Sequence, residues 1–233
     1  MPIHLLDTER PPVFPEFLSP DDNGLIALGG ALTPEVIIEA YSKGIFPWTG
    51  RDPIPWFSPD PRMLLYPAAV RVRRSLRQTL RRGVLEVRED TCFRPLMRMC
   101  ANIDRAGQDG TWITQNMVRT WSQLHRMGFA HSVETFKDGE LVGGLYGLAI
   151  GGAFFGESMC SKVPDASKVA LVHLCIKLEA LDFSFVDCQQ DTAHMAKMGA
   201  ETVPRHEYLS LLADAVAQPQ SWSPASKGLE QKT

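Results

Sequence analysis

The chain has 233 residues, of which 44% are hydrophobic, and its formal net charge is −3 at pH 7. This length can bury a substantial core as one large domain or two small ones. The mildly negative charge argues against a protein that coats nucleic acid indiscriminately. The longest apolar stretch, residues 143–155, contains five glycines and is shorter than the roughly 20 residues of a membrane helix, so we expect no membrane span and no membrane partner.

The N-terminus shows no targeting signature. Met1 is followed by Pro2, Ile3 and His4 and soon by acidic residues, without the basic and then apolar run of a signal peptide. We therefore expect a cytoplasmic protein, and a monomer. The five cysteines are odd in number and contain no Cys-x-x-Cys pair, which argues against a disulfide framework and a zinc site. We expect reduced thiols, no metal and no cofactor.

Residues 1–62 are rich in proline and aromatic residues and show one clear helix. Thr33 suits its N-cap, Pro34 its first turn, and Gly44 its end. Gly29-Gly30 lies upstream without a G-x-G-x-x-G or Walker pattern, so we interpret it as a turn and not as a nucleotide loop. The segment predicts a small N-terminal α/β domain.

The next segment is strongly basic. Residues 71–82 include six arginines and no acidic residue. If Ser75 caps a short helix, Leu76 and Leu80 face inward and three arginines share the outer face. A solvated helix face is one interpretation, although balanced charges are typical of it; a site for nucleic-acid phosphates is the other. The candidate phosphate contacts are Arg71, Arg74, Arg77, Arg81 and Arg82.

From residue 63 onwards, strands and helices alternate. The predicted elements are a strand at 84–89, helices at 92–103 and 116–127, a hairpin of strands at 130–136 and 140–149, a strand at 154–158, a helix at 166–180, a strand at 183–189, and helices at 194–198 and 208–216. This order predicts an α+β fold with helices flanking a mixed sheet over residues 63–216. Residues 217–233 lack a burial pattern, so we expect a disordered tail.

The strand predicted at 183–189 carries the candidate catalytic pair. Side chains alternate between the faces of a strand, so Asp187 and Gln189 would share one surface while Cys188 faces the other. A carboxylate beside an amide can orient and deprotonate an amine, because an α-amino group with a pKa of roughly 7.7–8.0 needs only a weak base. A satisfied polar pair at a strand end is the alternative interpretation.

Several separated strings identify a family. They are Asn23 to Gly30, Tyr41 to Trp48, Trp56 to Arg62, Gly110 to Thr114, Phe154 to Met159 and Phe185 to Gln189. With these strings in this order, residues 20–212 closely resemble the leucyl/phenylalanyl-tRNA–protein transferase family. The resemblance implies a GNAT-like acyltransferase domain at 63–216. It also implies transfer of Leu or Phe, and less well Met, from aminoacyl-tRNA to proteins beginning with Arg or Lys, which marks them for N-degron degradation.

The resemblance also implies a binding site for the donor. Trp48 and Trp112 would hold the 3′ adenosine of the tRNA with Tyr41 nearby, and the arginines at 71–82 would contact the tRNA backbone. A flat partner suits an unpaired base, although a buried core tryptophan is the alternative. Glu157 would bind the α-amine of the donor or be satisfied by a neighbour. The implied pocket for the aminoacyl side chain is formed by Leu145, Phe154, Glu157, Leu171, Leu174, Leu178 and Val186.

Two other functions compete with this interpretation. A CoA-dependent N-acetyltransferase would share the fold, but residues 161–168 contain no glycine, whereas a glycine loop there would cradle the pyrophosphate. A non-catalytic RNA-binding module would not require Asp187 beside Gln189. In the favoured mechanism Gln189 accepts a hydrogen bond from the attacking amine, Asp187 polarises Gln189 or helps to take the proton, and Cys188 forms no covalent intermediate.

Overall fold

The computed structural model describes residues 3–7, 14, 20–103, 111–219 and 222. Within these residues two sheets form, and the smaller lies in the N-terminal part. Its strands, in the spatial order β1-β2-β4-β3, are β1 (His4–Leu6), β2 (Leu25–Gly29), β3 (Phe46–Pro47) and β4 (Pro55–Phe57). These strands were not predicted individually from the sequence, because most of them are only two or three residues long, too short for an alternating pattern.

The larger sheet forms the C-terminal part. Its spatial order is β11-β5-β10-β9-β8-β7-β6, with β5 (Arg62–Leu65), β6 (Glu86–Glu89), β7 (Ala130–Lys137), β8 (Glu140–Ile150), β9 (Ala153–Ser161), β10 (Phe185–Asp187) and β11 (Glu201–Val203). The pair β9 and β10 is parallel, whereas β10 and β5 are antiparallel. The sheet is therefore mixed, as predicted. The predicted domain boundary after residue 62 falls one residue inside β5.

Helices cover both faces of the larger sheet, which confirms the α+β prediction. They are α1 (Pro34–Ser42), α2 (Arg74–Arg82), α3 (Phe93–Asn102), α4 (Gln115–Arg126), α5 (Ala166–Ala180), α6 (Ala193–Met198) and α7 (Arg205–Val216), with a short 3₁₀ turn at Pro67–Ala69. Among the described residues, no helix is long and apolar enough to cross a membrane.

Local sequence signals explain most helix and turn positions. The Thr33 hydroxyl accepts a bond from the Val36 amide at 3.4 Å, so the predicted cap of α1 is confirmed. The hairpin between β7 and β8 turns at Asp138 and Gly139, which have φ values of 52° and 82°, as a two-residue turn of this kind requires. The predicted cap of α2 by Ser75 is wrong: α2 begins at Arg74 after the extended Arg73, so Ser75 already lies inside the helix.

The core consists of two apolar clusters. The first joins the N-terminal part to the larger sheet, since Tyr41 and Trp56 pack with Phe155 and Tyr208. The second lies between the sheet and α5 and includes Trp222. Trp222, which lies within the tail predicted to be disordered, is only 9% exposed. Residues 220, 221 and 223–233, which make up most of that predicted tail, lie outside the described residues.

Candidate functional site

Asp187 lies at the centre of a buried polar cluster. It ends β10, opposite Phe155 of the parallel strand β9, and its side chain is fully buried. Its Oδ1 accepts hydrogen bonds from Arg62 Nε and from the backbone N–H of Gln189, both at 2.8 Å. Its Oδ2 accepts bonds from Arg62 Nη2 and from the Tyr208 hydroxyl, both at 2.7 Å. An ionised carboxylate has about four acceptor positions, and here every one is used.

Arg62 balances the charge of Asp187. Its guanidinium is 1% exposed and also donates to the Gly44 carbonyl at 3.2 Å. It lies over the rings of Phe46 and Tyr208, with its central carbon 4.8 and 4.5 Å from their centroids. Burial alone would lower the pKa of Arg62, but the Asp187 charge raises it overall. Arg62 was not among the residues predicted from the sequence, although an arginine at the start of the otherwise apolar strand β5 signals a buried partner.

Glu157 provides the second carboxyl group. It is 9% exposed, and its Oε1 accepts bonds from the Tyr41 hydroxyl at 2.6 Å and from Gln189 Nε2 at 3.2 Å. Tyr41 and Gln189 therefore provide hydrogen bonds to the Glu157 carboxyl group. Such contacts with neighbours are one of the two alternatives stated from the sequence. Burial raises the pKa of Glu157 to about 8, the nearby Asp187 charge adds to the rise, and the hydrogen bonds from Tyr41 and Gln189 oppose it.

Gln189 reaches this cluster by a route that strand alternation does not describe. The predicted strand at 183–189 ends at Asp187, and Gln189 has a left-handed φ of 64°. Asp187 and Gln189 therefore do not share the face of one strand, contrary to the prediction. They are neighbours because the backbone N–H of Gln189 donates to Asp187, while the side chain of Gln189 donates to Glu157. Burial and the Asp187 charge raise the pKa of Cys188, which keeps its thiol neutral.

The two candidate adenosine-binding tryptophans lie in adjoining loops. Trp48 is 43% exposed and lies 5.0 Å from the ring of Phe57, while Trp112 is half-buried against the first core cluster. The Thr49 hydroxyl donates to the Trp112 carbonyl at 3.1 Å and so joins the two loops. One partly open aromatic face is thus available to a base.

Tyr41 does not share this position. It is only 1% exposed, and its ring meets Phe155 edge to face at 5.2 Å. The structure places it beneath the surface as the hydroxyl donor to Glu157, where it has no open face for a base. Burial, with the neighbouring Glu157 charge, raises the pKa of Tyr41 well above its usual value, so the hydroxyl stays a donor.

Gly50 fixes the spacing of the two tryptophan loops. A side-chain carbon added there would lie 2.3 Å from the Thr114 hydroxyl and 2.7 Å from Met117 Cγ. The same Thr114 hydroxyl accepts the Met117 amide at the start of α4. The Trp48 loop therefore packs directly on the N-terminus of α4, with no room for a side chain between them.

Most of the residues implied for the aminoacyl pocket do lie together. Six of the seven belong to the second core cluster, with exposed fractions of 0–5%; they are Leu145, Phe154, Leu171, Leu174, Leu178 and Val186. Glu157 is the exception, since it is directed at Tyr41 of the first cluster. The six form a closed apolar layer, so a donor side chain can enter only if these groups move apart.

Three of the five candidate phosphate contacts share a concave surface. Arg74, Arg77 and Arg81, with Gln78, line a pocket of about 400 Å³ on α2. Leu76 of the same helix is buried, as predicted. Arg71 and Arg82 are exposed but do not line this pocket.

Trp222 belongs to the second cluster. Its ring stacks on His131 at 4.4 Å, lies 5.8 Å from Phe154, and faces the Lys177 ammonium at 4.1 Å. The only sequence signal was a tryptophan within a polar tail.

Both parts of the chain match a known family. Residues 64–213 match the family model described as leucyl/phenylalanyl-tRNA protein transferase, and residues 30–60 match the model of its N-terminal domain. A relative from Myxococcus xanthus named leucyl/phenylalanyl-tRNA–protein transferase is 50% identical over 220 residues, which is 94% of each chain. One of the same name from Nitrosospira multiformis is 53% identical over 211 residues, 90% of each.

A solved structure of a GCN5-related N-acetyltransferase-like protein from Streptococcus suis is 14% identical and has a TM-score of 0.32. The alignment covers 72% of this chain and 63% of that one. This likeness is too weak to support an argument about the fold, and the GNAT-like domain stays a prediction.

Proposed function

Because this chain belongs to the leucyl/phenylalanyl-tRNA–protein transferase family, it is an aminoacyltransferase, and we propose that its donors and acceptors follow from that membership. It transfers Leu or Phe, and less well Met, to the N-terminal α-amine of cytoplasmic proteins that begin with Arg or Lys, as a signal for their degradation. The observation that carries the proposal is the buried centre in which Gln189 is held between Asp187 and Glu157.

The donor is bound through its 3′ end and its phosphates. Trp48 offers a partly exposed ring next to the Trp112 loop, and stacking of one base on an aromatic ring contributes roughly 1–3 kcal/mol. The arginine pocket on α2 supplies charge for the acceptor-stem phosphates, because guanidinium groups bind phosphate oxygens in pairs. Together these surfaces favour an RNA-borne ester as the acyl donor.

The donor side chain enters the apolar layer between the sheet and α5. Leu171, Leu174 and Leu178 line one face of α5 and pack with Leu145, Phe154 and Val186. Leu and Phe carry their bulk beyond an unbranched Cβ, so they can pass a narrow entrance that excludes a β-branched side chain. An apolar site of this kind discriminates against a misplaced methyl group by about 1–3 kcal/mol.

Gln189 orients the attacking amine. Its Nε2 is committed to Glu157, so its carbonyl oxygen is the side-chain atom left to accept a hydrogen bond from the amine. Asp187 fixes the backbone of Gln189 through the amide contact. The aminoacyl ester is already activated, so this mechanism has no covalent intermediate on Cys188.

A transfer assay tests the proposal. The full chain is incubated with leucyl-tRNA and a peptide that begins with Arg, and the control is the same peptide after N-acetylation. We expect transfer only to the free amine, and none when acetyl-CoA replaces leucyl-tRNA. Equal labelling of both peptides, or acetylation from acetyl-CoA, would refute it.

A further inference from the structure

Asp187 has no position left for a substrate proton. Each of its two oxygens already accepts two hydrogen bonds, from Arg62, Tyr208 and the Gln189 amide. Arg62 stays charged, because a guanidinium does not lose its proton in proteins. It therefore remains bound to the Asp187 carboxylate. Contact between Asp187 and an incoming amine would have to break a fully buried ion pair.

Gln189 cannot serve as the base either. A side-chain amide donates and accepts hydrogen bonds but does not take up a proton near neutral pH. Its Nε2 donates to Glu157 Oε1, which places the amide nitrogen on the Glu157 side of the group. The carbonyl oxygen and Nε2 are bonded to the same carbon, so an amine held by the Gln189 carbonyl is separated from the Glu157 carboxyl group by the width of one amide group.

Glu157 is the carboxyl group of this centre with an open oxygen. Both of its bonds, from the Tyr41 hydroxyl and from Gln189 Nε2, end on Oε1. Among the described residues no donor bonds to Oε2. The two donors on Oε1 hold the plane of the carboxyl group, so Oε2 has a fixed direction.

We propose that Glu157 Oε2 is the proton acceptor of the transfer reaction, with Gln189 holding the amine and Asp187 acting as a positioning residue. This inference rests on the proposed function. The neutral amine nitrogen attacks the ester carbonyl carbon, a C–N bond forms, and an N–H proton passes to Glu157. The C–O bond to the ribose then breaks as its oxygen takes that proton from Glu157, and the carboxylate is restored.

The electrostatic surroundings suit this role. Burial, with the charge of Asp187, raises the pKa of Glu157 to about 8, close to the roughly 7.7–8.0 of an α-amino group. A catalytic acid–base group works best when its pKa lies near the operating pH. The charged or titratable groups that act on Glu157 are Tyr41 of α1, Arg62 of β5 and Asp187 of β10.

The test compares the pH dependence of single-turnover transfer, from saturating leucyl-tRNA to a peptide beginning with Arg, for the wild type and Glu157→Gln. We expect the wild-type rate to rise through about pH 8 and the variant to be slower by roughly 10²–10⁴-fold. The affinity for leucyl-tRNA should change less than about threefold, because a glutamine keeps the acceptor atom for Tyr41. Glu157→Asp should recover part of the rate, which a damaged fold would not allow.

The variant Tyr41→Phe tests whether the inflection in the pH dependence of the transfer rate is the titration of Glu157. The Tyr41 hydrogen bond lowers the pKa of Glu157, so its loss should move the inflection to higher pH, whereas the α-amine of the peptide would titrate unchanged. A wild-type rate in Glu157→Gln, or an unmoved inflection in Tyr41→Phe, overturns the inference. Loss of leucyl-tRNA affinity at an unchanged rate also overturns it, because Glu157 would then be only a donor contact. A wild type that transfers nothing contradicts the proposed function itself.

Discussion

Asp187 shows how distant residues can hold one buried side chain in place. Its partners Arg62 and Tyr208 lie 125 and 21 positions away along the chain. Removing one partner of a buried ion pair leaves an uncompensated charge, which costs about 3–5 kcal/mol. The polar cluster around Asp187 therefore both stabilises the fold and positions Gln189.

Arg62→Met should lower the free energy of unfolding by about 3–5 kcal/mol, because the buried Asp187 charge loses its counter-ion. Urea denaturation measures this difference. The matched control is Lys168→Met, which removes the partly exposed pair with Asp165 and should cost less than about 1 kcal/mol. Equal costs for the two variants would contradict the role of Arg62.

The sequence could name Asp187 and Gln189 but not how they meet. A period of two describes only residues inside a strand, and Gln189 is already in a left-handed turn. The hydrogen-bond partners of Arg62 and Tyr41 could not be predicted because they are remote in sequence, and no local periodicity reports a contact across 116 positions. By contrast, the cap at Thr33 and the turn at Asp138 are set by neighbouring atoms, so both were predicted correctly.

At the scale of elements, two loops and one helix present the surfaces proposed for the tRNA. The Trp48 and Trp112 loops are joined by a hydrogen bond and packed at Gly50 on the start of α4. Helix α2 buries Leu76 and turns its arginines outward. Each surface can be altered with little expected change in the other.

Gly50→Ala should weaken binding of a minimal leucyl-adenosine by about tenfold. The added carbon would lie 2.3 Å from Thr114 Oγ1, so the Trp48 loop must move away from α4, and the stacking that this disrupts is worth roughly 1–3 kcal/mol. Fluorescence titration measures the affinity. Gly139→Ala is the control, since its added carbon meets nothing within 4 Å and only strains a turn; equal weakening there would contradict the prediction.

Replacing Arg74, Arg77 and Arg81 together with Gln should weaken binding of leucyl-tRNA and lower its log–log salt slope by up to about three, one for each phosphate that the protein no longer neutralises. Binding of leucyl-adenosine should not change. The matched control replaces Arg94, Arg98 and Arg126, which are exposed on α3 and α4. If that control lowers the slope equally, α2 is not a specific phosphate site.

The whole molecule is joined by its two core clusters. The first spans the N-terminal sheet and one face of the larger sheet, so the two predicted domains share a core. The second includes Trp222, which follows the last helix of the described residues. Residues 217–233 are mostly polar in composition, and one apolar residue such as Trp222 among polar neighbours gives no periodic signal of burial.

Trp222→Ala should lower the free energy of unfolding by about 3 kcal/mol, since truncating a buried Trp removes its apolar contacts and leaves a cavity. Trp222→Phe should retain much of this stability because a ring still stacks on His131. Urea denaturation followed by circular dichroism compares them. An unchanged midpoint in Trp222→Ala would show that the contact contributes nothing in solution.

The bond from Tyr41 to Glu157 and the bond from Arg62 to the Gly44 carbonyl both cross between the N-terminal part and the larger sheet. The N-terminal part and the rest of the chain therefore cannot be exchanged independently between relatives. A recombination that joins residues 1–61 of one relative to the rest of another preserves the centre only if both parents agree at these contacts. Lineages should inherit the two parts as a unit.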